Sequence, residues 1–383
     1  MKAIIHHPTQ KTHGFTLVEL LVAMVLGMLT TVIIAEVLLK TEGNKRTSVG
    51  GNDAQVNGAL SLYALQRDIQ MAGYGVASKA TALGCAIKGK RGATEFTATL
   101  APVAIGLTNG GGPDQSDTIT VLSSATTRFA VPMDLSVNHT AASSTFTVKS
   151  ALGVSAGDFL LAIPNAPSAS KGCTMFQATA VDAATGSITH ATTSTWNTVL
   201  SDATYVPNYV SDDDSLVNVG ALQYRQYSID SSTNVLQSRD LSTSTAAFAN
   251  PVTVNANIVL MKAMYGRDTN NDGTIDRFDD VISTAAEWAT VRAVRVAIVA
   301  RSAERDKLEV TASNPEWDVG TTATISATNN AVTCLPVAAP TRCVLPLTIP
   351  TASASASDNA EWKHYRYKVY DTLIPVRNML WSS

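Results

Sequence analysis

A chain of 383 residues, 45% hydrophobic and 15% charged, can bury one large core or two small ones. Its net charge of -3 leaves no basic stripe of the kind that nucleic acid demands, so no nucleic-acid partner is expected. Its four cysteines show no C-x-x-C spacing, which argues against a zinc ribbon or a thioredoxin-like redox site.

The first predicted element is an apolar helix running from Phe15 to Ala35. At about 1.5 Å per residue it spans roughly 30 Å, the thickness of a bilayer core. Glu19 is the only charged residue between Lys11 and Glu36. A carboxylate at that depth costs a few kcal/mol unless a partner offsets it. The apolar run is too long for an ordinary signal peptide, and the plausible cut lies before it, between Gly14 and Phe15. Lys2 and Lys11 precede the run, so residues 1–14 stay cytoplasmic and the remainder is exported.

Gly14-Phe15-Thr16-Leu17-Val18-Glu19 followed by an apolar helix resembles the class III signal of type IV pilins and type II secretion pseudopilins. The resemblance implies cleavage after Gly14 by a prepilin peptidase and N-methylation of Phe15. It also implies that Glu19 meets the Phe15 amine of a neighbouring stem in a helical bundle.

The helix is predicted to continue outside the membrane. Proline is absent from Phe15 through Leu100, while Gly43, Gly50, Gly51 and Gly58 weaken the span. A bend or meltable section is therefore expected near 43–52. Beyond it Val56, Ala59, Leu62, Leu65, Ile69 and Ala72, widened by Leu60 and Tyr63, form a stripe that needs a surface to cover it. Gly73 stands where a helix-ending glycine belongs. The segments read as a leader (1–14), an assembly helix (15–40), an amphipathic continuation (41–74) and an exported β-rich region (75–383). The stretch 65–74 resembles the helix end of PilW-type minor pilins.

Past Gly84 the composition turns to Thr, Ser, Val and Ala. Strands are expected at 118–122, 145–149, 159–163, 176–181, 222–229, 235–239, 258–265, 291–300 and 365–370, several alternating in the period of an antiparallel sheet. A helical turn is expected at 285–289 and a flexible loop at 351–357. The tail from Tyr365 to Asn378 also resembles PilW-type proteins. In an oxidising compartment the cysteines should pair. Cys334 and Cys343 close a short loop holding Pro336 and Pro340 and are paired first; Cys85 with Cys173 follows by elimination.

Asp268-Thr269-Asn270-Asn271-Asp272-Gly273-Thr274-Ile275-Asp276 has the spacing of a calcium loop. The ligands would be Asp268, Asn270, Asp272, the Thr274 carbonyl, Asp276 and Asp279, with Gly273 at the tight turn. Asp279 replaces the usual glutamate and should weaken affinity; Asp280 could substitute. The alternative is a polar turn between strands.

Other motifs carry less. Gly153-Val154-Ser155-Ala156-Gly157 matches a nucleophile pattern, but a short apolar strand follows where a helix is required. Three histidines lie in the leader; His139, His190 and His364 lack a matching acid and read as surface or satisfied side chains. Asp212-Asp213-Asp214 reads as a solvated loop. No catalytic constellation remains, so an enzyme is not expected.

The expected fold is α+β, with a long N-terminal stem whose outer half packs on an antiparallel sheet. The expected role is a minor pilin in type IV pilus assembly, initiation or a tip complex. The alternatives are a J-like pseudopilin of a type II secretion system and an anchored, calcium-dependent binding or adhesion module. The resemblance implies as partners other minor pilins, the major pilin, the prepilin peptidase, the inner-membrane assembly platform and a tip adhesin. It implies residence in the bacterial inner membrane with the globular part periplasmic, then in the pilus.

Overall fold

The computed structural model describes residues 14–77, 79–107, 112–124, 131–168, 170–198, 205–320, 324–326, 332–335, 342–350 and 361–380. The leader residues 1–13, the prolines between Cys334 and Cys343 and the tract 351–357 lie outside them. The chain divides into two units, 1–51 and 52–383. The middle of the sequence therefore belongs to the same compact unit as the C-terminal third.

One helix, α1, covers Leu17–Met71. Helical structure continues through Gly43, Gly50 and Gly51, where a bend or meltable section was expected. Each glycine costs about 1 kcal/mol relative to alanine, but an established helix gains a bond for every residue it adds. Gly73 follows α1 with φ of 77° and donates its N–H to the Leu122 carbonyl at 2.8 Å. A Cβ there would sit 2.7 Å from Pro102, so glycine is needed for both conformation and space.

The second unit is built on two sheets that hold residues 52–71 of α1. The first is five-stranded, in the order Thr324–Ser326, Arg277–Asp279, Ile258–Arg267, Val291–Arg301 and Tyr367–Pro375. The second is a meander of Val103–Gly106, Thr118–Ser124, Leu222–Asp230, Val235–Ser242 and Ala247–Phe248, with Val252–Ala256 also pairing to Val235–Ser242. Leu65, Ile69 and Ala72 of the helix share one apolar core with Ile119, Val121, Met261, Val296 and Ile374. The strand Ile258–Arg267 is buried along its whole length because both of its faces are covered. A second core lies on its far side, around Trp317 and Leu345.

The buried stripe of α1 differs from the expected one. Ala54, Gly58, Ser61, Leu65, Ile69 and Ala72 face inward, whereas Val56, Ala59, Leu60 and Tyr63 are exposed. Small residues lie at the closest approach, where they let the helix come near the sheet, and large apolar residues occupy the opposite side. Reading hydrophobicity alone placed Leu65, Ile69 and Ala72 correctly, with Leu62 partly buried beside them, and missed the small inward residues Ala54, Gly58 and Ser61 nearer the start of this segment.

Residues 85–220 form a further sheet in the order Thr94–Thr99, Ala86–Arg91, Cys173–Gln177, Phe159–Ile163, Ser215–Gly220 and Met133–Asp134. Its one parallel pairing joins Ala86–Arg91 to Cys173–Gln177, beside the Cys85–Cys173 disulfide. Cys334–Cys343 is also formed. The expected strands at 159–163, 222–229, 235–239, 258–265 and 291–300 are present. The one at 176–181 divides into Cys173–Gln177 and Ala180–Asp182, and the last is shifted to Tyr367–Pro375. The helical turn Ala285–Ala289 forms under a capping box between Thr284 and Glu287.

Candidate functional site

The first unit carries the segment Leu17–Glu42, with mean hydropathy 2.5 and none of its most apolar stretch buried. By length and composition it can cross a membrane. Nothing in the described chain covers Leu20, Val25, Leu29 or Ile33, so the helix needs lipid or other helices as its surroundings.

At its start Thr16 and Glu19 form a reciprocal cap. The Thr16 N–H and Oγ both donate to Glu19 Oε2, at 3.1 and 3.0 Å, and the Glu19 N–H donates to Thr16 Oγ at 3.2 Å. Thr16-Leu17-Val18-Glu19 is the S/T-x-x-E pattern of a capping box, a signal legible in the sequence but missed there. Glu19 thus satisfies the first orphan donors of the helix, and both bonds fall on one carboxylate oxygen. Gly14 is exposed and lies outside the helix; Phe15 is 87% exposed.

The outer half of α1 is clamped to the second sheet through charge. Asp68 Oδ2 accepts from the Tyr227 hydroxyl at 2.7 Å and from Arg225 Nη1 at 2.8 Å; Arg225 also reaches Asp240 at 2.7 Å. Burial pushes the Asp68 carboxyl upward, but these donors outweigh it and hold the group below its ordinary value.

The calcium-type loop is only partly assembled as expected. Asp268 is buried and accepts the N–H groups of Asp272 and Gly273 at 3.1 and 3.0 Å. Asp272 accepts the Thr274 N–H at 2.7 Å, Asn270 accepts the Asp272 N–H, and Gly273 adopts φ of 86°. Asp276 is turned to the N–H and hydroxyl of Thr269. Asp279 does not join them. It lies in the strand Arg277–Asp279, bonded to Arg267 at 2.6 Å and Arg277 at 2.8 Å. Asp280 is buried as well. Among the described residues no three His, Cys, Asp or Glu side chains form a ready metal cluster. Arginines offset these carboxylates: Arg277 from the same strand as Asp279, Arg267 across the strand pairing, and Arg292, which approaches Asp268 at 3.8 Å.

Two other readings are corrected. His139 and His190 are buried, with their Nε2 atoms 3.0 Å apart, and His139 stacks on Phe146 at 3.6 Å. Burial lowers both imidazoles to about 4, assisted at His139 by the neighbouring ring. Asp214 is fully buried and pairs with Lys171 at 2.6 Å, which departs from the solvated loop expected; Asp212 and Asp213 are exposed, Asp212 pairing with Lys149. His364 Nδ1 lies 3.1 Å from the Asp306 carbonyl. Ser155 lies in a turn, its N–H bonded to Asp158, and a strand follows it as expected.

Residues 224–378 match the family model of type IV pilus-assembly protein W, and residues 9–35 match the prokaryotic N-terminal methylation motif. No curated protein and no solved structure matches the chain. The C-terminal match takes in the strands from Leu222–Asp230 to Tyr367–Pro375 almost entire, including most of those that hold the stem helix; Val103–Gly106 and Thr118–Ser124 lie outside it. It begins earlier than the resemblance noted in the sequence and leaves the middle, up to residue 223, without a counterpart. With a methylation motif ahead of its apolar helix and a PilW-type region behind, this chain resembles the PilW-type, prepilin-like pilus proteins.

Proposed function

We propose that this protein is a minor pilin that enters a filament through its stem and takes part in starting the pilus or forming its tip complex. The observation that supports this reading is the uncovered apolar helix with one carboxylate near its start. In the mature chain, cleaved after Gly14, the new Phe15 amine is positively charged at neutral pH and N-methylated. Glu19 of one stem faces the amine of the next inside a low-dielectric bundle, where an unpaired carboxylate is expensive. The apolar face loses lipid contacts and gains equivalent helix contacts, so transfer into the bundle turns on packing and on this charge pair. The globular unit faces the periplasm first and the outside afterwards. Its partners are the other minor pilins, the major pilin, the prepilin peptidase, the inner-membrane assembly platform and a tip adhesin.

The PilW-type region favours a pilus over a secretion pseudopilus. The loop at 268–276 takes a calcium ion through Asp268, Asn270, Asp272, the Thr274 carbonyl and Asp276, with Asp279 excluded. Its role is structural, pinning the hairpin connection between the antiparallel strands Ile258–Arg267 and Arg277–Asp279. N-terminal mass spectrometry of the membrane-extracted protein tests the class. A chain beginning at N-methyl-Phe15 supports it; a chain beginning at Met1 overturns it.

A further inference from the structure

A cleft of about 440 Å³ opens in the second unit, well away in sequence from the stem. One wall is the half-buried indole of Trp362 with Ile349. The lining also includes the loop residues Asp114, Gln115 and Ser116, together with Asn314. The remaining lining is mostly hydroxyl-bearing, and Asp114 is the only ionisable side chain among the described residues that line the cleft.

The loop is held with unusual firmness. Lys262 and Asp117, each 1% exposed, stand 3.4 Å apart behind it. Lys262 Nζ donates to the Gly112 carbonyl at 2.8 Å, and Asp117 accepts the Ala263 N–H at 2.9 Å. The Met261 N–H donates to Ser116 Oγ at 3.2 Å, and the Thr348 N–H to the Pro113 carbonyl at 3.0 Å. Asn314 Oδ1 accepts the Ile349 N–H at 3.1 Å, which leaves its NH2 donors for another partner. A buried ion pair adds little net stability compared with apolar residues of the same volume; its effect is to specify geometry. Here the geometry it specifies is that of a loop whose outer side chains line a cleft of ligand size.

We infer that this cleft binds a neutral saccharide. A pyranose presents a face of C–H groups that packs on an indole and an edge of hydroxyls that exchange hydrogen bonds with amides, hydroxyls and one carboxylate. Phosphate or sulfate would meet no cation among the described lining residues, and an acidic peptide would meet Asp114. A long apolar ligand would leave the polar wall unsatisfied, which costs about 1–3 kcal/mol per buried group. The inference does not depend on the filament reading, because every residue involved lies in the globular unit.

The test uses the full chain in a zwitterionic detergent, since sugar-headed detergents would compete. Saturation-transfer NMR is run against glucose, galactose, mannose, N-acetylglucosamine and their β-linked disaccharides. At least one sugar should give saturable transfer that is weakened more than about tenfold in Trp362→Ala. Trp362→Phe, which keeps an aromatic wall, should bind within about threefold of the parent, and Gln115→Ala, on the outer loop, should weaken binding without lowering the melting temperature. The inference is overturned if no sugar shows transfer, or if the transfer persists unchanged in Trp362→Ala while that variant remains folded.

Discussion

Gly58 of α1 lies directly against the ring of Tyr370: a Cβ built at the glycine would fall 2.3 Å from Cδ2 and Cε2. Tyr370 belongs to the edge strand Tyr367–Pro375, within the PilW-type region. In an isolated helix Gly→Ala would gain about 1 kcal/mol. Here overpacking should reverse the sign, so Gly58→Ala should lose about 1–3 kcal/mol. Adding Tyr370→Ala should recover part of that loss, which a denaturant double-mutant cycle will measure. A Gly58→Ala variant more stable than the parent would refute the tight contact.

Glu19 has two separable jobs. Glu19→Gln keeps an oxygen for the Thr16 cap but removes the charge. It should leave the helix start intact and yet reduce recovery of the protein in sheared filaments, with the cell-associated pool unchanged. Normal incorporation of Glu19→Gln would mean that the cap, and not the charge pair, is what the glutamate supplies.

Lys262 and Asp117 should be intolerant of single replacement. Burial pushes the Asp117 carboxyl up to about 6, against the pull of the Lys262 ammonium. Lys262→Met strands a buried acid and should cost about 3–5 kcal/mol. The double change Lys262→Met with Asp117→Leu should cost less than the sum of its parts. Urea unfolding of the three variants decides the matter.

The buried histidine pair makes stability depend on pH. In the unfolded chain each imidazole titrates near its ordinary value of about 6.5, and in the folded chain near about 4. Between those values the unfolded state binds more protons. The contribution is therefore complete above pH 6.5 and is lost as the pH falls toward 4, on the order of a few kcal/mol for the pair. Melting temperature measured from pH 7 to pH 4 should fall less steeply when His139→Phe and His190→Leu are combined.

Calcium should raise the melting temperature of the full chain at millimolar concentration, and Asp272→Ala should abolish that rise. Asp279→Asn should lower stability equally with and without calcium, because the carboxylate serves Arg267 and Arg277. A calcium response lost in Asp279→Asn, with its stability otherwise unchanged, would restore Asp279 to the loop.

By itself the sequence determined the features that depend on neighbours along the chain. These are the apolar stem with its lone acid, the helix-ending Gly73, the polar turn at 268–276, the strands with strong alternation, the short-loop disulfide Cys334–Cys343 and, by elimination, Cys85–Cys173. The burial of Gly58, in place of Val56 and Ala59, was decided elsewhere, by Tyr370, three hundred residues on, because close approach rewards absence of side chain over hydrophobicity. The fate of charge was also decided by tertiary structure: Asp214 met Lys171 and Asp68 met Arg225, partners that only the folded chain brings near. Short strands such as Ala86–Arg91 and Arg342–Pro346 escaped notice for the same reason, since their partners across the sheet, not their own periodicity, hold them extended.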